Sequence, residues 1–331
     1  MRILVIGGTS FVGRYIVDHA MSGDHEVTLF NRGVTNPDLF GHAERLMGDR
    51  DGDLEPLRGR EWDTVIDVCG YVPRVVKKSV EALEGAVGNY TYVSTISVYD
   101  DFDRPGLDES APVSDLEDPT VESITAETYG PLKAACEAVV TETFPDTSFL
   151  PRPGYVVGPY DSSDRFTYWV VRAAAGGRML APGPPGAPLQ FVDGRDLGRW
   201  MVDMVGLGAT GPYNATGPAG PLTWGTVLGN CRDLTRGGAE LVWADPSWLA
   251  ERSVELPLWD REEAEGSSHA MELDRTQAIS SGLTFRPLAD TIVDTREWAP
   301  AWDEMKVGLG PDDEKRLLEE FLSMAKPGAG A

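Results

Sequence analysis

Hydrophobic residues open the chain as an unbroken run, Ile3-Leu4-Val5-Ile6, and then change period. After a glycine-rich turn, Val12, Tyr15, Ile16 and Ala20 recur at helical spacing with Arg14 and Asp18 between them, and a second apolar run occupies 27–30. The short continuous runs read as buried strands, and the 3.6-residue period over 11–21 reads as an amphipathic helix. Together they predict one βαβ unit. Further strands are predicted ahead of Gly48, over 64–68 and over 90–94, with a helix over 74–83. Strands alternating with helices predict an α/β fold with a doubly wound parallel sheet.

The pattern then loses its period. Residues 100–128 are acid-rich and contain Pro, and they predict a long loop, either a solvated excursion or a lid. A helix over 129–143 and a strand over 148–150 resume the alternation. Beyond Gly158-Pro159 the chain is rich in Gly, Pro and Trp, which predicts a smaller substrate-shaping lobe. Residues 1–160 are therefore assigned to the first domain and 161–331 mainly to a substrate-binding lobe with C-terminal helices. Strand-like pieces at 189–192 and 213–215 are expected to return to the first sheet.

Composition narrows the choice of partners. The 331 residues carry 53 acidic and 29 basic side chains, a formal charge of −24. Such a field repels phosphate backbones and anionic headgroups, so neither nucleic acid nor a membrane is the expected partner. Cys69, Cys136 and Cys231 lie far apart, and the four histidines show no metal-ligand spacing, so no metal site and no disulfide framework are expected. The opening apolar run is too short for a secretory core, and no run approaches 18 apolar residues. A soluble cytoplasmic protein acting on a small molecule is expected.

Candidate chemistry begins at Gly7-Gly8-Thr9-Ser10-Phe11-Val12-Gly13. Standing between a strand and a helix, this loop offers backbone amides and a helix dipole to a pyrophosphate, as in Rossmann-type nucleotide sites. Ser10 occupies the place of the usual middle glycine, and its hydroxyl is a possible phosphate donor. Where the second strand ends, Asn31-Arg32 replaces the carboxylate that meets a free ribose. A guanidinium there pairs with a 2′-phosphate, so NADP is favoured, with NAD as the alternative; Arg32 as a plain solvent-facing charge is the other reading. Asp49 is placed to accept from an adenine amino group. Farther on, Tyr129 and Lys133 form a YxxxK spacing that sets a phenol and an ammonium one turn apart on one helix face. Nearby positive charge stabilises a phenolate, which suits the tyrosine to proton exchange.

With the glycine loop, Thr95, Tyr129, Lys133, Arg152-Pro153-Gly154-Tyr155, Phe191-Val192-Asp193-Gly194-Arg195-Asp196-Leu197, Tyr213-Asn214-Ala215-Thr216-Gly217 and Phe285-Arg286-Pro287 in view, the chain resembles an extended or atypical short-chain dehydrogenase/reductase of the NAD-dependent epimerase/dehydratase branch. The resemblance implies Thr95, Tyr129 and Lys133 as catalytic residues. By that resemblance hydride would pass between nicotinamide and a substrate carbon, Tyr129 would exchange the proton, Thr95 would align the oxygen, and Lys133 would bind the ribose and lower the tyrosine pKa. It also implies a cofactor surface that includes Cys69, Gly70, Ser94, Pro153, Gly154 and Tyr155, with Pro153-Gly154 beside the nicotinamide. Relatives often dimerise through a four-helix interface, for which the helices at 74–83 and 129–143 are candidates.

The departures from the family's pattern concern the substrate. Ile96-Ser97 follows Thr95 where sugar-nucleotide dehydratases carry Asp-Glu, which disfavours dehydration. Tyr155 and Leu189 stand where nucleotide-sugar epimerases commonly have Asn and a diphosphate-binding Arg. Arg165 or Arg195 is the expected substitute, or a surface charge. Tyr155, Tyr160, Phe166, Tyr168, Trp169 and Trp224 are candidates for lining the substrate cavity or for ordinary core. The expected function is an NAD(P)-dependent oxidoreductase or epimerase acting on a hydroxyl or keto group of a small polar substrate, such as a sugar or nucleotide sugar. The alternative is a nucleotide-binding scaffold without turnover, as suggested by a resemblance of the glycine loop and Phe30-Asn31-Arg32-Gly33 to chloroplast RNA-binding members.

Overall fold

A computed structural model describes residues 1–324. Its strands are β1 (Arg2–Ile6), β2 (Glu26–Asn31), β3 (Glu44–Met47), β4 (Trp62–Asp67), β5 (Val87–Tyr92), β6 (Ser148–Pro153), β7 (Tyr155–Val157), β8 (Arg178–Pro182), β9 (Phe191–Asp193), β10 (Gly211–Ala215) and β11 (Glu240–Ala244). Seven of them form one parallel sheet in the order β10-β6-β5-β4-β1-β2-β3, the doubly wound arrangement of a Rossmann-type α/β fold.

The unbroken apolar run of β1 follows from its place between β2 and β4, with both faces covered. Ile3 and Val5 pack toward α1 (Phe11–Ser22). Leu4 and Ile6 pack on the opposite face toward α2 (Pro73–Leu83) and α3 (Ala126–Thr143). Alternation along one strand therefore feeds two separate cores.

The smaller lobe is built from α4 (Arg165–Ala175) and the parallel pair β8–β11. Between those two strands, α5 (Gly194–Gly206) returns to the sheet beside α1. The rest of the lobe comprises α6 (Trp224–Thr235), α7 (Pro246–Glu251), α8 (Arg261–Glu265), α9 (Thr276–Ser280), α10 (Leu288–Trp298) and α11 (Pro311–Met324). Phe166, Tyr168, Trp169 and Trp224 are core here, at most 2% exposed, so these four candidates fill the lobe rather than line a ligand cavity. The buried Arg172–Glu314 pair, 2.5 Å apart, fastens α11 to this lobe.

Of the two expected returning strands, only one joins the sheet. Residues 211–215 pair with β6, whereas β9 pairs with β7, which follows β6 in the chain, in a separate two-stranded sheet. The acidic loop after Tyr99 carries no helix or strand up to α3, as expected, but it is fastened. Asn214 is fully buried; its Nδ2 donates to Leu107 and Asp274 carbonyls, its Oδ1 accepts from Tyr99, and its backbone N–H donates to Glu109. Farther along the loop, Arg74 of α2 pairs with Glu122 and also with Asp51. No helix among the described residues is long and apolar enough to cross a membrane, and none of their His, Cys, Asp and Glu side chains cluster in threes that would hold a metal ion.

Candidate active site

The cleft starts where β1 ends. Gly7 and Gly8 have φ of +103° and +89°, a region that favours glycine, and they turn the chain sharply into α1. Ser10 is the N-cap residue of α1, yet its side chain makes no capping bond, and no acidic residue occupies the first turn. The first amides of the helix therefore lack a side-chain acceptor, and with the helix dipole they suit an anion. Asn31 shapes this cradle: its amide donates to the Gly7 carbonyl at 2.9 Å and accepts from Gly33 N–H at 3.0 Å.

A cavity of about 590 Å³ follows, lined by the loop from Gly7 to Gly13 and by Asn31, Arg32, Asp49 and Cys69. Arg32 is exposed and has no hydrogen-bond or ion-pair partner among the described residues, so its guanidinium is free for a ligand. Asp49 accepts from Asp51 N–H at 3.0 Å, which fixes its carboxylate at the rim. Arg50 and Tyr71, which no sequence motif singled out, also line this cavity. Arg50 forks onto fully buried Asp67 at 2.8 and 2.6 Å, and Asp67 also accepts from Tyr90. The pair supplies the compensation that a buried carboxylate needs. Its signal lay only in an Arg directly after Asp49, which any surface loop shares.

The other expected residues are not among those that line this cavity. Thr95 starts a 3₁₀ turn over Ile96–Val98, with its hydroxyl accepting from Ser97 N–H at 3.2 Å. A Cβ at Gly130 would stand 2.1 Å from the Ser97 carbonyl, so the glycine lets α3 lie against that turn and sets Tyr129 beside Thr95. Burial pushes the Tyr129 phenol up, while the Thr95 hydroxyl and the Arg165 charge pull it down. Lys133, one turn along, donates to the Gly70 and Val93 carbonyls at 2.9 and 2.7 Å. Burial brings its ammonium down to about 8. Lys133 is turned toward these backbone carbonyls and two aromatic rings, and Arg165 brings its charge to bear on Tyr129.

Ser94 and Thr216 bury hydroxyls that have no partner among the described residues. Gly154 sits against Thr216 and Ile96. The Arg165 guanidinium stands 5.0 Å from the ring centre of Tyr155, and only its Nε and backbone N–H reach a partner, the Ser163 hydroxyl. Arg195 does not serve as a substrate arginine. It forks onto Asp193 and also pairs with Asp294, so its donors are committed to joining α5 to α10. Tyr160 is 36% exposed and lies under Arg14, 3.6 Å from the guanidinium carbon.

The parallel sheet of this order and the glycine turn at β1 give a Rossmann-type fold that solved structures of epimerases share. A putative epimerase from Burkholderia cenocepacia J2315 matches with a TM-score of 0.68 at 17% identity, over 89% of this chain and 98% of its own. The UDP-glucuronic acid 4-epimerase from Bacillus cereus in complex with NAD gives 0.66 at 15%, over 94% and 99%. The UDP-N-acetylglucosamine 4-epimerase from Bacillus cereus gives 0.67 at 17%, over 94% and 99%. No family model matches the sequence. Among curated proteins, the chloroplast stem-loop binding protein of 41 kDa b from Arabidopsis thaliana is 32% identical over 114 residues, which is 30% of this chain and 30% of that protein.

Proposed function

We propose that this chain is an NAD(P)-dependent oxidoreductase or epimerase acting on a hydroxyl or keto carbon of a small polar substrate. What supports the reading is that Tyr129 stands beside Thr95, and that Lys133, one turn along α3, lies against Tyr71, which lines the cavity at the uncapped, glycine-turned helix start. Such a cleft suits a dinucleotide: the α1 amides would hold the diphosphate, and the partnerless Ser94 and Thr216 hydroxyls would meet polar groups at the reactive end. Free Arg32 favours a 2′-phosphate and hence NADP, while NAD, with which the Bacillus cereus UDP-glucuronic acid 4-epimerase is in complex, is the alternative.

A bound nicotinamide would supply hydride exchange with a substrate carbon. Tyr129 exchanges the proton on the substrate oxygen, and Thr95 holds that oxygen in line. Arg165 favours the phenolate by its charge, and together with Tyr155 it forms the wall nearest the substrate. A homodimer, which the family resemblance alone suggests, belongs to the same reading and is checked by sedimentation.

A metabolite screen following nicotinamide absorbance tests the proposal, with Tyr129→Phe as the blank. Turnover lowered at least about 100-fold in that variant, with cofactor affinity kept, is the expected result. Unchanged turnover removes the acid/base role. The match to a protein named for stem-loop binding favours a second reading, a scaffold that binds RNA. The charge of −24 opposes it. Retardation of a stem-loop RNA in a gel, together with an empty metabolite screen, would select the scaffold.

A further inference from the structure

Lys133 is only 3% exposed, yet one of the two rings beside its ammonium, Tyr71, is itself 44% exposed. Its Nζ lies 4.1 Å from the ring centre of Tyr92 and 5.3 Å from that of Tyr71, so the ammonium sits between two aromatic faces. Tyr92 is fully buried within the sheet. Tyr71 is 44% exposed and lines the 590 Å³ cavity, so one side of it addresses the ammonium and the other the cleft.

The backbone beneath Tyr71 is pinned. The Gly70 carbonyl accepts from both Lys133 Nζ and the Tyr92 hydroxyl, each at 2.9 Å. A Cβ at Gly70 would stand 2.7 Å from the Tyr92 ring, and Pro73 opens α2 two residues after Tyr71. Tyr71 joins none of the apolar clusters among the described residues, so core packing does not explain an exposed aromatic ring on so stiff a support. Its hydroxyl has no partner among the described residues.

We propose that Tyr71 is a positioning residue of the reaction centre, whose ring holds the Lys133 ammonium in a dry slot against the Gly70 and Val93 carbonyls and separates it from the water of the cleft. The charged and titratable groups facing the slot are Asp67 and Cys69 from the end of β4, Arg50 from the loop after β3, Tyr92 from β5, and Cys136 and Glu137 from α3. The acids and Arg50 act in opposite directions, and burial outweighs them all in drawing the lysine down to about 8. A lysine held dry in this way gives up its proton at a lower pH than a solvated one.

The inference rests on Lys133 belonging to the reaction centre, and its test needs neither cofactor nor substrate. The full chain is labelled with acetic anhydride across a pH series, and acetylation of Lys133 is followed by mass spectrometry. The wild-type profile is expected to have its midpoint near 8. In Tyr71→Ala, water enters and the midpoint moves up toward the ordinary lysine value of about 10.4. Tyr71→Phe, which keeps the ring, is expected to restore the wild-type midpoint. Should the alanine variant not fold, Tyr71→Ser opens the slot in the same way, with the same upward shift expected. A wild-type midpoint near the ordinary value, no shift in the opened variant, or a phenylalanine variant that shifts as far as the alanine one would overturn the assignment. Failure of the wild type to bind NADP or NAD would instead sink the proposed function and leave the labelling result standing.

Discussion

Replacing one helical glycine by alanine at two places in this chain is predicted to give effects of opposite sign. At Gly130 the new Cβ would lie 2.1 Å from the Ser97 carbonyl, whereas ordinary contact begins at 3.4 Å. Relief requires a gap of about 1.3 Å between α3 and the 3₁₀ turn, in a region packed without slack. α3 cannot move freely, since Leu132, Cys136 and Val140 are buried. Overpacking of this kind costs about 1–3 kcal/mol, and the better helix propensity of alanine returns about 1 kcal/mol. Gly130→Ala is thus expected to lose about 1 kcal/mol net, near the middle of the combined range. The larger effect is on chemistry. A displacement of about 1 Å between Tyr129 and Thr95 is expected to lower turnover about 100-fold while leaving the glycine-turn end of the cleft intact. In α6, a Cβ added at Gly229 would meet nothing within 4 Å, so Gly229→Ala should stabilise by about 1 kcal/mol with unchanged turnover. Urea unfolding of the wild type and both variants, with turnover of any compound found in the metabolite screen, provides the measurement. A Gly130→Ala protein as stable and as active as the wild type would refute the claim that this glycine sets the distance between Thr95 and Tyr129.

Asn214→Ala removes the partner of the Tyr99 hydroxyl and of the Leu107 and Asp274 carbonyls, so it should cost about 2–4 kcal/mol and speed proteolysis within residues 100–113; an unchanged digestion pattern would count against the fastened loop. Arg32→Ala should weaken NADP about 10-fold or more and leave NAD nearly unchanged, as read by titration calorimetry, whereas equal losses would remove the 2′-phosphate assignment. The buried Cys231 thiol is pushed up to about 12 from an ordinary value of 9.0. An acid whose folded pKa is raised contributes stability that is complete below the unfolded value and is lost as pH climbs to the folded one. The urea midpoint should therefore fall between pH 9 and 12, and Cys231→Ala should flatten that fall.

The elements that form the cleft were legible because each is coded by neighbours in the chain. Alternation places Ile3 and Val5 on one face and Leu4 and Ile6 on the other, the period of α1 sets its buried stripe, and a four-residue spacing keeps Tyr129 and Lys133 on one side of α3. Positive φ at Gly7 and Gly8 is likewise a local matter, decided by the absence of a side chain. The pairing of β9 with β7, in contrast, joins residues more than 30 positions apart and is decided by chain packing.

The same divide separates the arginines. Arg165 and Arg195 looked alike as candidates, yet one keeps most of its donors free beside Tyr155 while the other is held by Asp193 and Asp294. Asp294 lies 99 positions from its partner, and Gly70 lies 63 from the lysine it receives. Local pattern was enough to determine the strands of the main sheet, the glycine turn and the tyrosine–lysine helix, because those depend on steric preferences within a few residues, whereas β7, β8 and β11 were not legible. The tertiary structure alone decided which charges were spent on one another, since among 53 acidic side chains every arginine has many possible partners and only chain packing brings one within reach.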